Sequence, residues 1–180
     1  MQKIFDTINA AQTGKLGEML AQELRGGEII CLSGELGSGK TTFAQGVLKG
    51  LGAKGPYTSP TFLVMKHYKK EITNSKTQIP NKFKISKSQF QKKYQMLDTR
   101  YQIQNIYHID AYRVGAKDIL DLGWEEIIAG RNNIVIAEWA ERIRSIVPKD
   151  AVWMKFEYNK ENTRKISIAK SENLKCKSKN

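Results

Sequence analysis

Residues 34–41 read Gly34, Glu35, Leu36, Gly37, Ser38, Gly39, Lys40, Thr41, which fills every fixed position of the spacing GxxxxGK[ST]. These residue types at this spacing bind phosphate. Glycines let successive backbone N–H groups turn inward around phosphate oxygens, and a helix opening directly after the loop adds its positive end. Lys40 reaches the terminal phosphates, and the Thr41 hydroxyl is a ligand for Mg²⁺. A chance match in a chain of this length is about 1 in 100 at average residue usage. Such a loop needs an acid to hold or orient the metal. Two apolar runs end on one each, Ile106–Asp110 and Ile134–Glu138. In an open parallel sheet the carboxyl ends of neighbouring strands line the ligand crevice, so Asp110 and Glu138 are the candidates. Glu138 follows four apolar residues in the layout of a Walker B strand, with Glu in place of Asp. Thr58, Ser59, Pro60 and Thr61 form a hydroxyl-rich turn of the kind that reaches a γ-phosphate and metal in switch-type NTPases.

The surrounding sequence must supply strands and helices to hold these groups. Leu16, Met19, Leu20 and Leu24 recur at helical spacing, which predicts a one-faced helix over Ala10–Leu24, stopped at Gly26 and Gly27. The apolar run Glu28–Ser33 predicts a buried strand ahead of the loop. Lys40–Leu51 predicts a helix after it, with Phe43, Val47 and Leu48 on one side. Thr61–Tyr68 reads as a strand. Short helices are expected over Ala116–Leu122 and Trp124–Ala129, separated at Gly123, and another over Ala140–Ile146 before Pro148. Val152–Tyr158 and Arg164–Ala169 alternate and read as a closing hairpin. One domain, residues 1–170, is expected, interrupted by a Lys-, Gln- and Ser-rich insertion at about 69–104 and followed by a polar tail, 171–180.

The chain has 180 residues and a net charge of +12. The charge is not spread evenly. Residues 69–104 hold 9 Lys and Arg against 2 Asp and Glu, and residues 155–180 hold 8 against 3, while the rest nearly cancels. A basic segment attracts RNA or acidic protein surfaces, and it is equally the signature of a solvated loop. No run of 18 apolar residues is present and the N-terminus lacks an apolar signal core, so no membrane association is expected. Cys31 and Cys176 lie far apart and form no CxxC, which excludes a disulfide scaffold and a zinc ribbon and favours a cytoplasmic location. His67 and His108 form no metal-ligand pair at helical spacing, and His108 beside Asp110 reads as structural. Cys31, Trp124 and Trp153 read as core. Trp139, directly after Glu138, is expected at the mouth of the crevice.

Five segments in this order, 34–43 (GELGSGKTTF), 59–62 (SPTF), 107–113 (YHIDAYR), 122–126 (LGWEE) and 137–142 (AEWAER), resemble the TsaE family, the small P-loop ATPases of bacterial tRNA threonylcarbamoyladenosine synthesis. The resemblance covers residues 5–68 and 105–169. It implies an α/β fold of the three-layer P-loop NTPase type, with a parallel-centred sheet and antiparallel edge strands. It implies ATP and Mg²⁺ as cofactors, slow hydrolysis, and work with the TsaD and TsaB proteins, whose transferase the ATPase cycle resets. tRNA is met through that complex, and self-association is left open. Carried over by position, Gly37, Gly39, Lys40, Thr41 and Thr42 match the phosphate loop, and Thr41 and Glu138 match the Mg²⁺ ligands. Asp110 matches the acid near the attacking water or metal, Ser59 and Thr61 the switch-like loop, and Arg164 an arginine near the nucleotide. Asn9 matches the segment that meets the adenine. The insertion departs from the family pattern.

Two further readings stand beside the ATPase. A small-molecule P-loop kinase needs an arginine-rich lid, and the insertion offers Arg100 against eight lysines, which lack the bidentate fork. An accessory RNA-binding module is favoured by Phe83, Phe90, Tyr94 and Tyr101, which interleave with those lysines as stacking platforms would.

Overall fold

Among the described residues, seven strands form one mixed sheet: β1 (Lys3–Thr7), β2 (Ile29–Gly34), β3 (Met65–Lys69), β4 (Asn105–Asp110), β5 (Asn133–Glu138), β6 (Val152–Tyr158) and β7 (Arg164–Lys170). The computed structural model of the chain describes residues 3–70, 103–159 and 163–170. The strand order is β1-β7-β6-β2-β5-β4-β3. The central four, β6, β2, β5 and β4, run parallel. Antiparallel strands close both edges, β3 against β4 and the β7–β1 pair against β6.

Side chains on a strand alternate between faces, and here each face has its own core. Ile30, Leu32, Ile106, Ile134, Ile136, Met154 and Phe156 point to one side, where they meet α1 (Ala10–Ala21) and α2 (Lys40–Gly50). Ile29, Cys31, Ile109, Val135, Ala137 and Trp153 point to the other, against α3 (Ala116–Leu120), α4 (Trp124–Ala129) and a 3-10 segment over Ala140–Ile146. The result is the three-layer α/β architecture of P-loop NTPases. Each fully buried Ile, Leu or Phe contributes roughly 1.5–3 kcal/mol by leaving water. Cys31 and Trp124 are buried as expected, and burial pushes the Cys31 thiol up to about 12.

Several boundaries differ from expectation. β1 was not foreseen at all. The strand expected over Thr61–Tyr68 begins only at Met65, because residues 61–64 turn, with Phe62 and Leu63 exposed and Val64 at φ 62°. The helix expected over Ala10–Leu24 ends at Ala21, and its buried positions are Thr13, Gly17 and Ala21, while Met19 is exposed. The helix expected over Ala116–Leu122 ends at Leu120, and Ala140–Ile146 is 3-10 with a break at Ile143 rather than an α-helix. The insertion is shorter at both ends than 69–104: Lys69 closes β3, Lys70 N donates to Gln104 O at 3.1 Å, and Ile103 is buried. Its body, residues 71–102, and the expected tail, 171–180, lie outside the described residues. Replacing 71–102 with a short Gly/Ser link is expected to leave the thermal midpoint within a few degrees of the parent, because Lys70 and Gln104 are already paired and loop length costs little entropy.

The small residues of α1 let it lie unusually close to α2. A Cβ on Gly46 would fall 2.0 Å from the carbonyl oxygen of Gly14, and one on Gly17 would fall 2.3 Å from that of Phe43. Glu18 of α1 bridges Lys15 and Lys49, and these two ammonium groups hold its carboxyl down to about 2. Gly46→Ala therefore forces the helices apart. It is expected to lower the urea midpoint by the equivalent of about 1–3 kcal/mol, the scale of overpacking, despite better helix propensity. Gly14→Ala is the control: its nearest neighbour would be 3.8 Å away, so the propensity gain of about 1 kcal/mol should survive.

Candidate functional site

The loop between β2 and α2 delivers the phosphate-binding spacing to the carboxyl edge of the sheet. Gly39 is the N-cap of α2 with φ 100°, a conformation that glycine adopts without strain, and no side chain caps the helix. Its first N–H groups thus face the loop. Ser38 Oγ is buried with no hydrogen-bond partner among the described residues. Ser38, expected among the binding residues, is fully buried and does not line the cavity at this edge; the uncapped helix start itself is an arrangement that an anion satisfies.

Lys40 is buried to 4% exposure. Its Nζ donates to the carbonyl oxygens of Gly34 at 2.6 Å and Glu35 at 2.8 Å, and lies 3.9 Å from the centroid of the Trp139 ring. Burial pulls its ammonium below the usual lysine range, against the opposing pull of Glu138, Glu141 and Asp110. Trp139 reaches this position through a left-handed turn, φ 57°, directly after β5. That backbone costs a non-glycine residue roughly 1–2 kcal/mol. The turn also brings the ring to 4.9 Å from Tyr112.

Strand alternation places both acids on the α2 side. Asp110 follows Ile106 and His108 on β4, Glu138 follows Ile134 and Ile136 on β5, and the parallel register sets Asp110 beside Glu138. Thr41, in the first turn of α2, donates from Oγ1 to Glu138 Oε2 at 2.6 Å. Thr61 Oγ1 donates to Asp110 Oδ2 at 2.6 Å, and Ser59 Oγ lies 2.6 Å from Thr61 Oγ1. The other oxygen of Asp110 accepts from Tyr112 N at 3.0 Å. The 61–64 turn is what carries Thr61 to Asp110; an extended strand there would not.

These groups surround one cavity of about 240 Å³. Leu36, Gly37, Gly39, Lys40, Thr41, Thr42, Thr61, Asp110, Glu138 and Arg164 line it, joined by Tyr112 and Trp139. The volume falls below the ~300–1,000 Å³ that encloses a drug-sized ligand, so it suits the phosphate end of a nucleotide. The stem of Arg164 lies on Gly39, whose Cβ would fall 3.1 Å from Arg164 Cδ. Gly34 and Glu35 do not line the cavity; their carbonyls hold Lys40. Asn9 does not line it either. It caps α1, accepting at Oδ1 from Gln12 N at 2.9 Å. Tyr112 went unread in the sequence, although it lies two residues past Asp110.

Mg²⁺ fits this donor set. A hydroxyl and a carboxylate within 2.6 Å are hard oxygen ligands, and Mg²⁺ usually takes one or two from protein and the rest from phosphate and water. Among the described residues no cluster of three or more His, Cys, Asp and Glu is placed to hold a metal. Nor is any described helix long and apolar enough to cross a membrane.

The family model for threonylcarbamoyl adenosine biosynthesis protein TsaE matches residues 7–80 and 83–166. A Nostoc protein named tRNA threonylcarbamoyladenosine biosynthesis protein TsaE is 32% identical over 174 residues, covering 93% of this chain and 85% of its own. A Treponema pallidum protein of the same name is 26% identical over 162 residues, covering 89% and 96%. The crystal structure of YdiB from Bacillus subtilis superposes with a TM-score of 0.63 at 20% identity, over 95% of this chain and 86% of that one, a likeness in fold.

Proposed function

The chain belongs to the TsaE family of threonylcarbamoyl adenosine biosynthesis proteins, and on that premise we propose that it binds Mg²⁺–ATP and hydrolyses it slowly while serving the enzymes that form threonylcarbamoyladenosine on tRNA. The family and its named relatives support the place in tRNA modification. One observation carries the nucleotide chemistry: Lys40, Thr41, Asp110 and Glu138, drawn from three elements, converge on a single cavity at the uncapped start of α2.

In this reading the loop N–H groups and Lys40 bind the β- and γ-phosphates. Thr41 and Glu138 would hold Mg²⁺, which when bound would neutralise charge on the phosphates. Asp110, steadied by Thr61 and by Tyr112 N, orients the attacking water. Arg164, at the rim over Gly39, adds positive charge beside the phosphates. Trp139 shields Lys40 from water, which strengthens its attraction for phosphate, and Tyr112 packs against Trp139. The partners are the TsaD and TsaB proteins, and the ATPase cycle supports turnover of their transferase.

The test is Mg²⁺-dependent ATP binding and phosphate release by the purified chain, alone and with the TsaB–TsaD pair. Binding alone and faster turnover with the pair are expected. An absence of nucleotide binding in both settings would overturn the reading. Thr41→Ala refines it: affinity with Mg²⁺ should fall about tenfold, ~1.4 kcal/mol, while affinity in chelator changes little.

A further inference from the structure

Glu138 is held from two sides, and only one of them faces the cavity. Its Oε2 accepts from Thr41, while its Oε1 lies 2.8 Å from His108 Nε2. His108 is fully buried, and Glu138 is 1% exposed. The imidazole stands on β4 between the apolar Ile106 and the site residue Asp110, on the same face of the sheet. Its second nitrogen, Nδ1, is buried with no partner among the described residues. A buried polar ring with one unsatisfied nitrogen is unfavourable in a core position, where an apolar residue of similar volume leaves nothing unpaired. The contact with Glu138 is what the ring provides in return.

We propose that His108 is a positioning residue, whose Nε2–H fixes the Glu138 carboxylate with Oε2 turned toward Thr41, where Mg²⁺ would bind. This deepens the ATPase reading and rests on it for the identity of the metal. A carboxylate oxygen only accepts, so the ring must carry hydrogen on Nε2. With Oε1 on the imidazole, the carboxylate is held with Oε2 turned toward Thr41. Its two hydrogen bonds leave it one orientation. Partners of this kind behind a metal ligand typically change metal affinity or activity by ~10–100-fold when removed. The longer Glu side chain, in place of the Asp usual on such strands, spans from the strand to Thr41 while keeping its second oxygen on the imidazole.

Two measurements test this. The chain has only two histidines, His67 and His108, so imidazole ¹⁵N spectra of the whole protein are readily assigned with a His67→Gln variant. His108 should show hydrogen on Nε2, with that signal shifting in Glu138→Gln. A ring protonated at Nδ1 alone overturns the proposal, and this arm needs no nucleotide. The second measurement is a Mg²⁺ titration of fluorescent ATP-analogue binding. His108→Leu should need about tenfold more Mg²⁺ for half-maximal enhancement, with binding in chelator unchanged. His108→Gln, whose side-chain amide can donate to Oε1, should return to within about threefold of the parent. Equal Mg²⁺ dependence in the parent and His108→Leu, or no recovery in His108→Gln with the fold intact, overturns it. If the parent binds no nucleotide, the ATPase reading fails, and the imidazole spectra alone decide the contact.

Discussion

Lys40→Ala is expected to bind Mg²⁺–ATP at least ~30-fold more weakly than the parent and to show no measurable turnover. The ammonium is buried, and it sits beside an aromatic face in a site that already excludes much water. A charge pair formed there is stronger than one on the surface, and truncating one partner of such a pair typically removes ~2–5 kcal/mol of binding. The lower end of that range is already ~30-fold. Lys40→Arg should not recover the loss, because the planar guanidinium is larger than the space between Trp139 and the Gly34 and Glu35 carbonyls. Lys40→Met keeps most of the stem and removes a charge that burial disfavours, so its thermal midpoint should stay near the parent's. Isothermal titration with Mg²⁺–ATP reads the affinity. Wild-type affinity in Lys40→Ala would show that phosphate binds elsewhere.

Glu138→Ala and Asp110→Ala should act more on the rate than on affinity. With TsaB and TsaD present and Mg²⁺ saturating, each should reduce phosphate release ~10²-fold or more, about 2.7 kcal/mol, a larger effect than either has on nucleotide affinity. The separation follows from placement. In the proposed reading the loop and Lys40 would contact the phosphates, whereas the two acids would meet the metal and the water. Asp110→Asn is the more telling variant, because it keeps the size of the side chain and an oxygen to accept from Thr61 while removing the charge. Single-turnover measurements separate chemistry from product release. Unchanged turnover in both alanine variants would sink the assignment.

The place of the glycine-rich loop was legible in the sequence because its shape is local: eight consecutive residues fix a turn between strand and helix. The positions of Asp110 and Glu138 were legible for a related reason, each standing at the end of a segment that reads as a strand. What escaped depends on distant partners. β1 is an edge strand with little apolar content, and its pairing is with β7, at the far end of the chain. Phe62, Leu63 and Val64 have strand-forming side chains, yet the hydrogen bond from Thr61 to Asp110 accompanies a turn there instead. Met19 sits at helical spacing with Leu16 and Leu20, but the face that α1 buries is chosen by glycines that let α2 approach. His108 was read correctly as lying on a strand, and only the structure reveals the carboxylate behind which it stands.

The order of the sheet has a consequence for how the chain is made. Synthesis proceeds from the N-terminus, and β2 emerges early, yet both of its neighbours are made late: Ile30 pairs with Ile136 of β5 on one side and Val152 of β6 on the other. β1 must wait still longer, since Lys3 lies opposite Ile168. Until β5, which ends at Glu138, has left the ribosome, β2 has no strand beside it, and only α1 and α2 are at hand to shelter its apolar face. A nascent chain therefore carries a complete phosphate-loop sequence that cannot yet assemble the cavity. Such long-range pairing slows folding and prolongs exposure of unpaired strand edges. The close α1–α2 contact, formed entirely between residues 10 and 50, is a part of the sheet's cover that can be in place before β5 is made.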